Sequence, residues 1–157
     1  MSYPSPPAGL ATCARACAPR WRWKERVIAI AAGGVLVALL ATATRLEPSS
    51  AGLGTHQQLG LPPCTVLDWF GIRCPSCGMT TSWAHIVRGH VLAAMRANAG
   101  GALLALAAAM CGPWLVASGS AGRWLIGRPA EWLVLAAGLT VIVITLVQWT
   151  LRLSLGW

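Results

Sequence analysis

Three long apolar stretches dominate the pattern of hydrophobic and polar positions along the chain. They cover residues 27–44, 97–122 and 132–151, and none of them contains a charged side chain. Each is long enough to cross about 30 Å of hydrocarbon as an α-helix. Because lipid offers the backbone no hydrogen-bond partners, such segments are expected to be helical. The pattern predicts an all-α membrane protein with three transmembrane helices.

A shorter helical pattern precedes the second stretch. Met79, Trp83 and Ile86 recur on one side, whereas Thr81 and His85 recur on the opposite side. This alternation predicts a short amphipathic helix that lies at the membrane interface.

The second stretch also carries a regular series of small residues. Gly89 is placed as a helix-ending residue, and a continuous helix is predicted from His90 through Asn98 into the second span. Small side chains then recur every four positions, which predicts a smooth helix-packing face for another helix of this chain or of a partner. The members of this face are Ala97, Gly101, Ala105 and Ala109.

The distribution of polar residues divides the chain into a tail and a membrane domain. Residues 1–26 are rich in proline, alanine and arginine without periodicity, and they are predicted to form a disordered basic cytoplasmic tail. Residues 27–157 form the membrane domain, with a cysteine-bearing loop and the interfacial helix over 62–92. The run Ala41-Thr42-Ala43 imitates a signal-peptide cleavage site, but we expect the first span to be retained as an anchor.

Composition indicates the class of protein, and the net charge indicates its partner. The chain is 56% apolar and 10% charged, which excludes an ordinary soluble domain, and its net charge is +8. The basic residues concentrate directly before the first span, where the positive-inside rule places cytoplasmic charge. We therefore expect the lipid bilayer with its anionic headgroups, and not nucleic acid, to meet this charge.

One group of cysteines has a spacing that is typical of a metal-binding or redox site. Cys64 is followed by the run Cys74-Pro75-Ser76-Cys77-Gly78. Two cysteines at this spacing bind one tetrahedral metal ion well, and zinc is the natural candidate, with Cys64 as a third ligand. His56 is the candidate for the fourth ligand, and Asp68, water or a residue of a partner are the alternatives. A structural disulfide from Cys64 to Cys74 or Cys77 is the alternative in an oxidising compartment.

A redox enzyme is the second chemical interpretation. Cys77 stands just before a predicted helix, so its pKa is expected to be lowered, and Cys74 and Cys77 are suited to disulfide exchange. No βαβ pattern and no neighbouring general base accompany the pair. We therefore rank metal binding or a structural disulfide above catalysis, and we expect no catalytic residue.

The cysteine motif also resembles a known family. Cys64, the run Cys74-Pro75-Ser76-Cys77-Gly78-Met79-Thr80, Arg88-Gly89 and Asn98 are similar to an uncharacterised bacterial membrane-protein family, domain of unknown function 2752. The resemblance covers residues 64 to about 104 and implies a multi-pass protein of the bacterial inner membrane, without an established activity. The chain departs from the family pattern at Thr81, His90 and Ala99.

Together these features predict a small bacterial integral membrane protein with a cytoplasmic N-terminus. Its predicted function is that of a non-catalytic accessory or assembly subunit, which associates with a membrane-protein partner or with further copies of itself. A membrane thiol–disulfide oxidoreductase is the alternative.

Overall fold

The computed structural model describes residues 21–155, and this part of the chain is helical without strands. The elements in chain order are α1 (Trp23–Arg45), a 3₁₀ helix (Thr55–Leu59), α2 (Thr65–Phe70), α3 (Met79–Ile86), α4 (Val91–Ala121) and α5 (Glu131–Leu155). Helices α1, α4 and α5 are each long and apolar enough to cross a membrane. The predicted all-α fold with three candidate spans is confirmed.

Helix α1 begins earlier than the sequence pattern predicts. Its first residue is Trp23, and the carboxylate of Glu25 accepts a hydrogen bond of 2.8 Å from the backbone N–H of Arg22. This contact satisfies one of the free donors at the helix start and extends the helix outward from the apolar stretch. Residues 23–26 of the predicted tail are therefore helical, while residues 1–20 lie outside the described residues.

Glycines allow α1 and α4 to pack closely along most of their length. A Cβ atom added to Gly33 would lie 2.7 Å from the carbonyl oxygen of Gly112, and one added to Gly119 would lie 2.8 Å from Ile30. Close backbone approach is the usual basis of helix association in lipid, where the hydrophobic effect does not drive helices together. The Ala41-Thr42-Ala43 run lies within α1, and retention of this helix as an anchor stays a prediction.

The buried small residues of α4 recur with the helical period of 3.6 residues and not at every fourth position. Ala97, Gly101 and Ala105 are buried, whereas Ala109 is exposed and Ala108 is buried in its place. A step of four residues turns the helix about 40° beyond a full revolution, so the two steps from Gly101 to Ala109, in the regular helix after Asn98, rotate the position by about 80°. The four-residue series thus drifts off the face that α1 and α3 cover inside this chain.

Helix α4 is broken at Asn98, which corrects the prediction of a continuous helix. The φ and ψ angles of Asn98 are −166° and 110°, so its backbone is extended between two helical halves. Its side-chain Oδ1 accepts a 2.8 Å hydrogen bond from the N–H of Gly101, as an N-cap does. Ser82 donates to the carbonyl of Asn98 at 3.0 Å. The break is therefore stabilised by polar partners that a sequence window does not contain.

Helix α5 supplies the partners for the carbonyl groups that the break leaves free. Gln148 donates to the carbonyl of Met95 at 2.9 Å, and Arg152 donates to those of Arg96 and Ala97. In an apolar surrounding, each unsatisfied carbonyl would cost several kcal/mol, on the order of 2–7. The polar end of α5 thus satisfies the carbonyl groups that the irregular backbone at Asn98 leaves free.

Two further arginines bind the C-terminal carbonyl groups of helices. Arg26 donates to Gly119 and Ser120 at the end of α4, at 3.1 and 2.9 Å. Arg88 donates at 3.2 Å to Thr44 near the end of α1. A cation at a helix C-terminus also interacts favourably with the helix dipole. These side chains are therefore structural in addition to any effect on orientation in the membrane.

The polar side of α3 faces the protein interior. Thr81 and Ser82 are buried together with Ala84, and the hydroxyl of Thr81 lies 2.8 Å from that of Thr55 in the 3₁₀ helix. The polar side of this alternation packs on α4 with its hydroxyl groups satisfied internally, and the position of α3 at the membrane interface stays a prediction. This contact places the 3₁₀ helix and the cysteine-bearing loop side by side.

Candidate metal site

The cysteine-bearing loop is a compact turn that leads into α3. The N–H of Cys77 donates to the carbonyl of Cys74 at 3.0 Å, and the N–H of Met79 donates to that of Ser76 at 3.1 Å. Gly78 then adopts a left-handed conformation with φ of 86°. A Cβ atom there would lie 2.7 Å from the carbonyl oxygen of Gly52 and would overlap that of Ala97. Glycine is thus required at this position for space as well as for conformation.

The turn brings the three cysteines of the motif together. The Sγ atoms of Cys64, Cys74 and Cys77 all lie within 4.8 Å of one another. Cys77 is buried, and the other two are partly exposed. Among residues 21–155, this is the one set of three or more histidine, cysteine or acidic side chains so arranged. The structure therefore confirms that these three residues could hold a metal ion.

The cysteines are present as free thiols. The Sγ atoms of Cys74 and Cys77 are 3.1 Å apart, with the Cys74 thiol donating. A disulfide bond requires about 2.05 Å. No disulfide is thus seen between the cysteines of the described chain, Cys64 included.

Asn98 connects the thiol loop to the break in α4. Its side-chain amide donates to the carbonyl of Pro75 at 3.0 Å and to that of Cys77 at 3.3 Å. The same side chain is 1% exposed, so these bonds are shielded from water. Sequence reasoning recognised Asn98 within the family motif but did not assign it this role. An asparagine near the start of an apolar span is the sequence feature that could have indicated this role.

The pKa values of Cys64 and Cys77 differ, and that of Cys77 is shifted in the direction opposite to the one predicted from the sequence. The backbone N–H of Leu67 and the neighbouring thiols of Cys77 and Cys74 lower the pKa of Cys64 to about 7, against the effect of burial. Burial, followed by the adjacent thiols, raises the pKa of Cys77 to about 12. The prediction of a lowered pKa for Cys77 is therefore wrong. One negative charge on Cys64, stabilised by S–H donors, is the favoured ionisation near neutral pH.

A cavity of about 330 Å³ adjoins the thiols and extends to His56 and Met79. His56 is not part of the 4.8 Å group of ligand atoms. Its Nε2 lies 3.2 Å from the carbonyl oxygen of Pro62 and must donate to it, because a carbonyl only accepts. Nδ1 then carries the lone pair, which is the arrangement that metal-binding histidines adopt. Ligation by His56 stays a prediction.

Trp149 of α5 also contributes to holding the loop. Its indole N–H donates to the carbonyl of Arg73, next to Cys74, at 2.6 Å. Together with Asn98, it ties the turn to two of the membrane-spanning candidates. The thiol site is therefore fixed to the helical bundle on both sides of the motif.

Comparison with known proteins matches the same region. Residues 64–112 match a protein family described as "Protein of unknown function (DUF2752)", and this stretch contains the three cysteines and Asn98. Neither the curated proteins nor the solved structures contain a match to the chain.

Proposed function

We propose that Cys64, Cys74 and Cys77, which lie in the stretch that matches the DUF2752 family model, bind one metal ion, with zinc as the first candidate. The observation that carries the proposal is the grouping of the three Sγ atoms within 4.8 Å. A zinc ion about 2.3 Å from each sulfur requires sulfurs about 3.8 Å apart in tetrahedral geometry. Small side-chain adjustments meet that requirement, and the backbone of the turn need not change.

The fourth zinc ligand comes from the adjoining cavity in this proposal. His56 lines that cavity and holds its ring through the hydrogen bond to Pro62. The 3₁₀ helix that carries His56 is five residues long, and its movement toward the sulfurs would supply the fourth ligand. Water from the cavity is the other available ligand.

The proposed biological role is that of a non-catalytic accessory or assembly subunit in the bacterial inner membrane. The thiol loop is tied to α4 and α5 by Asn98 and Trp149, as a structural site requires. Helix α5 has no buried residue and, among the described helices, packs on α4 alone. Its apolar surface is available to lipid and to a membrane-protein partner.

Metal analysis with thiol counting tests the metal proposal. The full chain, purified in mild detergent and loaded with zinc, is expected to retain one equivalent after desalting, with three of its six cysteines protected from alkylation. Cys64→Ser and Cys77→Ser should each lose the metal. Cys111→Ser is the matched control, because Cys111 is a free thiol on α4 outside the group. Wild-type protein that retains no zinc and leaves every thiol reactive refutes the proposal.

The subunit role has a separate test. Affinity purification from native membranes is expected to recover a defined membrane-protein partner in fixed proportion. Recovery of the chain as a free monomer contradicts this part, whatever the metal analysis shows.

A membrane thiol–disulfide oxidoreductase is the second candidate, favoured by the 3.1 Å separation of Cys74 and Cys77. In that reaction one thiolate attacks a partner disulfide and forms a mixed disulfide. The second cysteine then attacks the mixed disulfide and releases the partner as a thiol. The pair loses two electrons and two protons, and the partner disulfide becomes two thiols. Cys77→Ser or Cys74→Ser should trap the mixed disulfide. If neither variant traps a partner, this candidate is eliminated.

A further inference from the structure

A second cavity lies at the opposite end of α4 from the thiols. Its volume is about 920 Å³, and it opens where α1 begins and α4 ends. From Asn98 to Gly122 the helix rises about 36 Å at 1.5 Å per residue, so the two sites are independent. Residues of both helices line it, among them Arg22, Ile28 and Ala32 near the start of α1 and Leu115 and Arg123 near the end of α4.

The rim of this cavity is positively charged. Arg22, Arg123 and Arg128 are exposed there, and Arg128 pairs with Glu131 at 2.7 Å. Glu25 receives the backbone N–H of Arg22 and makes no salt bridge with a guanidinium of the described chain. Within residues 21–155 the guanidinium groups of Arg22 and Arg123 have no hydrogen-bonding partner. Two planar donors that line the cavity are thus available to a ligand.

Tryptophans lie beside these arginines. The ring of Trp124 stacks on that of Trp114 with centroids 5.2 Å apart, and it meets the edge of Trp21 at 4.5 Å. The N–H of Trp21 also donates to the carbonyl of Gly122 at 3.0 Å. Tryptophans concentrate at the headgroup level of membranes, so this cluster marks the level of the rim.

The wall below the rim is apolar. Ile28 and Ala32 of α1 and Leu115 of α4 line it, all within helices that are apolar enough to span a membrane. From Arg22 to Ala32 the helix rises about 15 Å. The cavity is therefore amphipathic along its length, charged at one end and apolar toward the membrane interior.

We propose that this cavity binds an anionic glycerophospholipid. The phosphate contacts the guanidinium groups of Arg22 and Arg123, and an acyl chain lies against Ile28, Ala32 and Leu115. Guanidinium groups recognise phosphate oxygens with paired hydrogen bonds, and basic pockets between transmembrane helices bind anionic headgroups. A free phosphate uses the rim alone and leaves the apolar wall without a function, so the combination identifies a lipid.

Lipid binding to the delipidated full chain in detergent tests the proposal, read by native mass spectrometry. Phosphatidylglycerol is expected to bind about tenfold more tightly than phosphatidylcholine, a difference of about 1.4 kcal/mol. The double variant Arg22→Gln with Arg123→Gln should lose that preference. The matched control is Lys24→Gln with Arg45→Gln, which removes two exposed positive charges from α1 outside the cavity lining and should keep the preference.

A second pair of variants tests the apolar wall without changing charge. Ala32→Phe fills the wall and should weaken phosphatidylglycerol binding several-fold, whereas Ala31→Phe, on the neighbouring face and outside the lining, should not. Thermal stabilisation by phosphatidylglycerol that inorganic phosphate reproduces overturns the lipid assignment. Equal loss of preference in the cavity variant and in the charge control also overturns it, because general electrostatics then explain binding. Equal affinity for the two lipids excludes headgroup recognition.

Discussion

Replacing Asn98 by alanine is expected to destabilise the protein and to release the cysteine turn. The side chain makes three hydrogen bonds, to the carbonyl groups of Pro75 and Cys77 and from the N–H of Gly101. All three lie where the side chain is 1% exposed, so water does not replace the lost partners. The N-cap of the second half of α4 is lost in the same substitution.

The magnitude follows from the number of these bonds. At about 1 kcal/mol net for each bond, the loss is about 3 kcal/mol, and at the lower value of about 0.6 kcal/mol found within membranes it is about 2 kcal/mol. Asn98→Asp keeps an acceptor for Gly101 but cannot donate to the two carbonyl groups. It is expected to lose most of the same stability and to loosen the thiol loop equally.

Denaturant unfolding in detergent, followed by tryptophan fluorescence, measures this loss, and the alkylation rate of the cysteines reports on the loop. Gln58→Ala is the control, because Gln58 also makes two hydrogen bonds, both to Glu47, but on the exposed surface. It should change stability by less than about 1 kcal/mol. If Asn98→Ala unfolds with the wild type, or if Gln58→Ala costs as much, the assigned role of Asn98 is wrong.

Two close glycine contacts and the ionisation of His85 have measurable consequences for stability and metal binding. Gly100→Ala places a Cβ atom over the hydroxyl of Thr145, which should force α4 and α5 apart at a cost of about 1–3 kcal/mol, measured by unfolding and by reduced α4–α5 cross-linking. Gly78→Ala should abolish tight zinc binding, because a side chain at φ of 86° overlaps the carbonyl of Ala97 and displaces the turn, as metal titration will show. Burial, then the nearby charges of His90 and Arg88, lowers the pKa of His85. The unfolded histidine therefore takes up a proton below about pH 6.5 that the folded one resists, so stability should decline from pH 7.5 to 5.5.

Each of these predictions has a matched control. Gly34→Ala has open space around the new Cβ atom and should be neutral or stabilising by up to about 1 kcal/mol. Gly71→Ala shares a left-handed φ of 67° but meets no atom within 4 Å, so it should cost about 1–2 kcal/mol and spare the zinc site. His85→Gln should reduce the acid sensitivity, and His90→Gln should leave most of it. Acid sensitivity unchanged in His85→Gln assigns the effect to another group.

The sequence by itself determined the features that depend on neighbouring positions along the chain. Uninterrupted apolar runs placed all three candidate spans, because the energy of burying a helix in lipid is additive over its own residues. The spacing of Cys74 and Cys77 indicated a metal-binding turn with Cys64 as a third ligand, and the structure brings all three sulfurs within 4.8 Å of one another. The left-handed glycine at Gly89 also followed from its position at the end of a periodic segment.

Only the tertiary structure decided which polar groups are satisfied, and by what. The break at Asn98 depends on Gln148 and Arg152, which lie about fifty residues further along the chain. The inward polar side of α3 depends in the same way on the hydroxyl of Thr55. The ionisation of Cys77 depends on its burial rather than on its place before a helix. Hydrogen bonding and desolvation are set by neighbours in space, and a local pattern of hydrophobic and polar residues carries no information about distant partners.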